Sequence, residues 1–492
     1  MIEFIKKQKY NFIATVITVI VVHFSKIAHY LPNWDNMYSI VMPLDSMSHF
    51  GRWFAGLITS IFTSQYDLQW VSGLISAVFL GLTMSLLLDL FDVKDKVLSL
   101  LAILIMVTFP SIAGVFMYVE WTASYMISLF MAILSIYLIF KFESRWRWCL
   151  CPLLICFSLG IYQIYFLFAI TCAVFYFATQ LIRENKKFKE YLDVIKLFIY
   201  SVVVGFILYF FINRIVLLCL KESLSEYQGI GAVGFLGFKG YLKAIIKTIA
   251  STILFFIPVG GGYALINIVI LAIVTSLLIM VLIKGGQKLW IKIVVPLLFV
   301  SIMPITFLYY FITATISYHT IMTISLYFVY FELIVFLDSN LVSLKRIVSG
   351  FISAILFVLG FYNFINTNIA YKQQEISYER TYFEVCEVVS YIDLVNDGLS
   401  NEIIVVGNFP ANNVDNLISP VPTIVGASTS NFLRSEFHFL QFTKYYLARE
   451  YKTCAGDKRD NILKSDDFES MKTYPSKDCV KIIDNVIVVK LS

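Results

Sequence analysis

Apolar residues run along this chain in stretches of twenty or so, broken by short polar turns, and the pattern changes character only near residue 368. An α-helix needs about 20 mostly apolar residues to cross a bilayer, and that criterion predicts about eleven spans. They cover 11–29, 71–91, 97–116, 122–140, 148–162, 165–182, 194–218, 263–283, 292–312, 320–337 and 347–366. Beyond them comes a helix-like polar stretch (YKQQEISYERTYFEVCEVVSYIDLV). Two strand-like runs follow, Glu402–Gly407 and Lys481–Lys490, among loops punctuated by Pro410, Pro420 and Pro422. The reading is a polytopic α-helical membrane domain over 1–367 and a small C-terminal α/β domain over 368–492.

Composition agrees. Of 492 residues 59% are hydrophobic and 14% charged, against roughly a quarter charged in soluble globular proteins. The net charge of +5 requires no nucleic-acid partner, because the basic residues fall in every second loop. They are Lys6, Lys7 and Lys9; Lys94 and Lys96; Lys141, Arg145 and Arg147; Arg183, Lys186, Lys187 and Lys189; Lys284 and Lys288; Lys345 and Arg346. The short turns around Glu120, Tyr162–Gln163 and Ser317–His319 carry none. This positive-inside alternation predicts a cytoplasmic N-terminus, a multi-pass protein of the cytoplasmic membrane and an extracytoplasmic C-terminal domain. Two long outer loops follow, at about 30–70 and 221–262. In the second, Lys239, Lys243 and Lys247 share one helical face opposite Leu242, Ile245 and Ile246, which suits a helix lying in the interface with lysines toward anionic headgroups.

Of eight cysteines, Cys149, Cys151, Cys156, Cys172 and Cys219 accompany apolar segments and Cys386, Cys454 and Cys479 lie in the tail. No CxxC pair exists, so a zinc or iron–sulfur site is not expected. In an oxidising compartment Cys454 and Cys479 could form a disulfide; the alternative is two buried thiols.

Acids on the outer side are few, and ionisable groups near membrane depth tend to mark function. Asp35, in Trp34-Asp35-Asn36, reads either as a general base beside an aromatic wall or as an Asx turn. Asp45 has the same two readings, with a helix start favoured. Glu120, between Tyr118 and Trp121, is the sole charge between Lys96 and Lys141; it reads as a site acid or a solvated turn residue, and Trp121 as a sugar platform or part of an aromatic belt. His49-Phe50-Gly51-Arg52-Trp53 offers a guanidinium for phosphate, or an Arg snorkelling to lipid. Gly160-Ile161-Tyr162-Gln163 offers a phenol and an amide for sugar hydroxyls, or for the turn's own backbone. His319 reads as a ligand or a packed imidazole. Together these groups suit an enzyme taking an anionic lipid-linked substrate. Cations would hold the phosphate, aromatic faces the sugar, and a carboxylate would deprotonate the acceptor.

The chain resembles the Gtr-type (type II) glucosyltransferases of O-antigen modification, members of the GT-C superfold. The matching features are Asp35-Asn36 followed by Gly51-Arg52-Trp53, then Phe109-Pro110, Gly160-Ile161-Tyr162-Gln163 and the segment Tyr362–Asp393. The resemblance implies a GT-C-like fold and transfer of glucose from undecaprenyl-phosphate-glucose to a lipid-linked polysaccharide, the lipopolysaccharide modification behind serotype conversion. It also implies a donor synthase and a flippase as partners. By the same resemblance Asp35 is the favoured base, with Glu120 as second acid or acceptor ligand, and whether Asp35 acts alone or with Asp45 stays open; the residues themselves offer Arg52, Lys239 and Lys243 to the donor phosphate, and Trp34, Trp121, Tyr162, Gln163, His49 and His319 to sugar or acceptor. Inversion without a metal or other cofactor is the expected course. Many first loops of the family carry paired acids where this chain has Asp35-Asn36. The rival readings are a polysaccharide polymerase and a lipid-linked oligosaccharide flippase or transporter.

Overall fold

The computed structural model describes residues 2–39, 47–63, 66–184, 192–259, 262–284, 287–313, 315–339, 345–396, 398, 400–411 and 421–492. They divide into two compact units, Met1–His29 with Met42–Asn368 and Val421–Val425, and Tyr30–Val41 with Ile369–Pro420 and Gly426–Ser492.

The first unit is helical. Eight helices among the described residues are long and apolar enough to cross a membrane, or up to nine if Lys96–Val107 and Pro110–Phe116, bent by 51°, form one span. The helices Ile2–Val22, which carries Lys6, Lys7 and Lys9, and Arg147–Ile161, of 15 residues, fall short of that test by charge and by length. About eleven spans therefore requires counting both. The bend has a local cause. Pro110 opens the second helix, and the residue before a proline is held out of the α region; Phe109 sits at ψ 136°. At the other end Asp95 caps its helix, accepting from the amides of Val97 and Leu98 at 2.8 and 2.9 Å.

Small residues let the helices close on one another, as in other helical membrane proteins. A Cβ at Gly73 would meet Ile27, one at Gly81 Phe12, and one at Gly205 Ile155. Ser128 and Ser158 bond each other's hydroxyls at 3.0 Å across the helix interface. Apolar packing leaves few charges inside. Asp89 is held by Lys7 at 2.7 Å, Tyr137 at 2.7 Å and Gln8 at 3.1 Å. Glu332, fully buried in the helix Tyr327–Asp338, accepts from Thr179 at 3.0 Å. Glu332 thus places an acid inside the predicted span 320–337.

The second unit is α/β. Strands β1 (Glu402–Val406), β2 (Lys452–Thr453), β3 (Val480–Ile483) and β4 (Val486–Lys490) form one sheet in the order β2-β1-β4-β3. β1 runs parallel to β2 and β4, while β3 pairs antiparallel with β4. The two-residue turn Asp484-Asn485 has positive φ at both positions, the geometry that matches strand twist in a tight hairpin. Both faces are covered, so β1 reads as a continuous apolar run. Ile403, Val405, Ile487 and Val489 pack with Val385, Val388, Ile392 and Phe442 on one face. Ile404, Val486 and Val488 pack with Ile462 and Met471 on the other. Cys479 belongs to the first cluster and Cys454 to the second, and both are free thiols. The disulfide reading is thus corrected: the sheet itself separates the sulfurs.

A second departure concerns the first loop. The segment Tyr30–Val41 belongs with the tail. Met37 enters the tail's core, Tyr30 accepts a hydrogen bond from Tyr446 at 2.9 Å, and Tyr38 stacks on Phe437 at 4.8 Å. In the opposite sense, Val421–Val425 joins the helical unit. Asn366 bonds Pro422 O at 3.1 Å and Val421 N at 2.7 Å, and Thr320 donates to Thr423 O at 2.5 Å.

Candidate functional site

In the helical unit, a cluster forms around Arg52. Gly51 turns the chain at φ +73°, where a Cβ would collide with the Tyr209 hydroxyl, so the position demands glycine on two counts. The turn points the guanidinium over Tyr162, 4.8 Å from its ring centroid, with Nη1 donating to Tyr125 Oη at 3.0 Å. Tyr125 and Tyr162 stack in parallel at 4.4 Å. Both tyrosines are buried, so they cushion the cation, and Tyr162 offers no open face to a sugar. Gln163 donates to Phe50 O and to Tyr209 Oη, each at 3.1 Å. Its amide nitrogen thereby serves the turn that carries Arg52. Gly160 admits Trp53, whose ring atoms occupy the place of a Cβ.

The rim of this cluster comes from distant sequence. His49 Nδ1 lies 4.0 Å from Glu222 Oε2, and His49 O accepts from Ser225 N at 2.9 Å. His319 Nδ1 is buried with no hydrogen bond among the described residues. Burial and then the Arg52 charge hold this imidazole down at about 4, so it is neutral at pH 7. Tyr318 Oη accepts from Tyr309 N at 3.1 Å, and Tyr309 lies in the field of Arg52. Lys247 sits over Tyr310 at 5.3 Å. Lys239 and Lys243, on the same helix, Gly237–Phe256, are exposed; the structure does not bring them into this cluster.

Glu120 belongs to a different constellation. It is 4% exposed, and the charge it faces is Lys26, itself 2% exposed. Asp67 adds a second carboxylate to the field at Lys26. Lys26 sits on the short helix Phe24–Ala28, set off from the first helix at His23, whose ring stacks on Phe116 at 3.8 Å and whose Nε2 lies 3.1 Å from Val107 O. A small cavity beside Lys26 is lined by Gln69, Ser72 and Thr122. Trp121 is buried as well and presents no sugar platform. Glu120 is therefore a buried counter-charge rather than a solvated turn residue. Lys26 escaped the sequence reading because it falls within an apolar span; a lone lysine there was the available signal.

The remaining candidates lie in the α/β unit. Asp35 is half-buried in an Asx turn: its amide donates to Asn33 Oδ1 at 2.7 Å, and Asn33 N donates to Asn36 Oδ1 at 2.7 Å. Trp34 lies face-on to Arg434, whose guanidinium carbon is 3.4 Å from the ring centroid. Arg434 N donates to His438 Nδ1 at 3.0 Å. Burial, with Arg434 second, holds His438 down at about 4. Burial and then the Asp35 charge push the Tyr38 phenol up. Asp45 lies outside the described residues. Among the described residues no group of three His, Cys, Asp or Glu side chains could hold a metal ion.

The chain is similar to the family described as glucosyl transferase GtrII, whose model matches residues 24–337, a stretch that includes Asp35, Arg52, Glu120, Gln163 and His319. No curated protein and no solved structure matches the chain.

Proposed function

Because the chain belongs to the glucosyl transferase GtrII family, we propose that it transfers a glucosyl group from a polyprenyl-phosphate-linked donor to a lipid-linked surface polysaccharide such as O-antigen. The reaction takes place at the outer face of the cytoplasmic membrane, with the N-terminus cytoplasmic and the tail outside. The observation that carries this reading is Arg52, a half-buried guanidinium fixed on a stacked tyrosine pair and braced by Gln163. A preorganised cation of this kind suits a phosphate whose charge grows as it leaves.

Asp35 is the base. It takes the proton of the acceptor hydroxyl as that oxygen bonds the anomeric carbon, and the bond from that carbon to the phosphate oxygen breaks. Polyprenyl phosphate leaves as its anion, and a single displacement inverts the anomeric centre. Glu120 holds Lys26 and takes no proton from substrate.

Mass analysis of surface glycan from cells with and without the protein tests the reading. An added hexose per repeat at constant chain length supports it. Altered chain length at constant repeat mass would favour a polymerase, and loss of glycan export a flippase.

A further inference from the structure

The helix Gly237–Phe256 follows one candidate span, Leu192–Leu220, and precedes another, Gly262–Lys284. The loops on the far side of those spans, at 183–189 and 284–288, are both basic, so on the positive-inside reading the helix begins and ends on the outer side. It is not among the helices that pass as membrane spans, and it carries Lys239, Lys243 and Lys247.

Three faces divide its surface. Ala244, Thr248, Thr252 and Phe255 are buried. The edge of that face is seated on Tyr310: Ser251 Oγ lies 3.1 Å from the Tyr310 hydroxyl, and Lys247 Nζ stands 5.3 Å from its ring centroid. A second face carries Lys239 and Lys243, both exposed, and neither has an ion-pair partner among the described residues. On the third face Phe238 (83% exposed), Leu242, Ile245, Ile246 (60%), Ile249 and Ile253 are open. At about 100° per residue, the centres of the three faces fall roughly 110–130° apart around the axis. Phe235, just ahead of the helix, is 86% exposed as well.

No aqueous partner suits both open faces. A soluble anion or glycan would meet the ammonium groups and leave the apolar face in water, while hydrocarbon alone would strand the lysines. A bilayer surface with acidic headgroups satisfies both, with acyl chains against one face and phosphates against the next. The geometry points to an anionic phospholipid as the partner: Gly237–Phe256 is a docking surface for the acidic headgroups of the leaflet it lies on, and Lys239 and Lys243 serve those lipids rather than the donor's phosphate. A lysine is a point charge on a long stem, suited to any headgroup in reach, whereas the planar fork of Arg52 suits one oriented phosphate. This partner is independent of the transfer reading above.

Photoactivatable phosphatidylglycerol tests it on the full-length protein in neutral detergent micelles, with the labelled peptides mapped by mass spectrometry. Peptides of the helix should be labelled in wild type, and unlabelled phosphatidylglycerol should compete where phosphatidylcholine does not. A lysine at an anionic surface is worth about five-fold in affinity, so Lys239→Gln/Lys243→Gln should need about 25-fold more probe for half-labelling of the helix. Labelling of peptides from 71–91 should stay as in wild type, and Lys239→Arg/Lys243→Arg should restore the helix signal. Equal labelling of wild type and the glutamine variant overturns the proposal, as does equal competition by phosphatidylcholine. A loss shared by the arginine variant also overturns it, since charge is then not what the surface reads. A raised donor KM of the glutamine variant in micelles free of phosphatidylglycerol returns the lysines to the donor's phosphate and overturns the assignment. If wild type transfers no sugar, the transfer reading fails while the labelling still decides the helix.

Discussion

Glu120 and Asp35 look alike in the sequence, each a lone acid beside a tryptophan, yet the two units treat them in opposite ways. In the helical unit Glu120 is sealed and faces a buried lysine. In the α/β unit Asp35 keeps a half-open carboxylate on an Asx turn. A buried charge needs its partner to exist at all, whereas a half-exposed one stays within reach of solvent. On the proposed reaction the contrast separates a structural acid from a chemical one.

The most severe test of that contrast is Asp35→Asn, which should lower transfer by about 10²- to 10⁴-fold, the range for a lost general base, with the protein still inserted at wild-type level by immunoblot. Glu120→Gln should act through stability instead. It removes the larger of the two carboxylate fields on Lys26 and leaves that of Asp67, a loss approaching the roughly 3–5 kcal/mol of a broken buried pair and read as a lower melting temperature of the solubilised protein. The double variant Glu120→Gln/Lys26→Met should recover most of that loss. If Glu120→Gln melts normally and yet is inactive, Glu120 is chemical after all. Arg52→Lys should raise the donor KM about ten-fold or more, since a charged hydrogen bond is worth about 1.5–3 kcal/mol and an ammonium cannot replace the planar fork.

Smaller effects are expected from the α/β unit's interior. His438 is held near 4 in the folded chain, below the roughly 6.5 of an exposed imidazole. The unfolded chain therefore binds a proton that the folded chain refuses between about pH 6.5 and 4, and stability falls as pH drops through that window. His438→Phe should flatten that part of a melting-temperature profile. Smallest of all, a reductant should leave the melting temperature where it was, because Cys454 and Cys479 are free thiols.

What could be read in advance was what repeats locally. Run length shows in 71–91 or 263–283 without any structure, and the short motifs Gly51-Arg52-Trp53 and Gly160-Ile161-Tyr162-Gln163 do meet, through Trp53 against Gly160 and Gln163 against Phe50. The cushion of Arg52 was hidden, since Tyr125, Tyr209 and Tyr309 sit in apolar stretches where a tyrosine is ordinary. Nor does any periodicity reveal that Met37 enters the core of a unit built mainly from residues beyond 368. Lys26 and Glu332 were legible in principle, as ionisable groups within apolar runs. The faces of Cys454 and Cys479 were not, because each lies just outside a strand's alternation.

The exchange of segments between the units has an evolutionary side. Tyr30–Val41 is shared out to one unit and Val421–Val425 to the other, so the tail is not an interchangeable cassette. A chimaera that borrows a relative's C-terminal half to acquire its sugar preference inherits a foreign partner for Met37 and Tyr30, and a foreign strap for Asn366. Recombination can succeed only when these short stretches travel together, which ties the drift of a dozen residues near the start of the chain to that of a domain more than three hundred positions away.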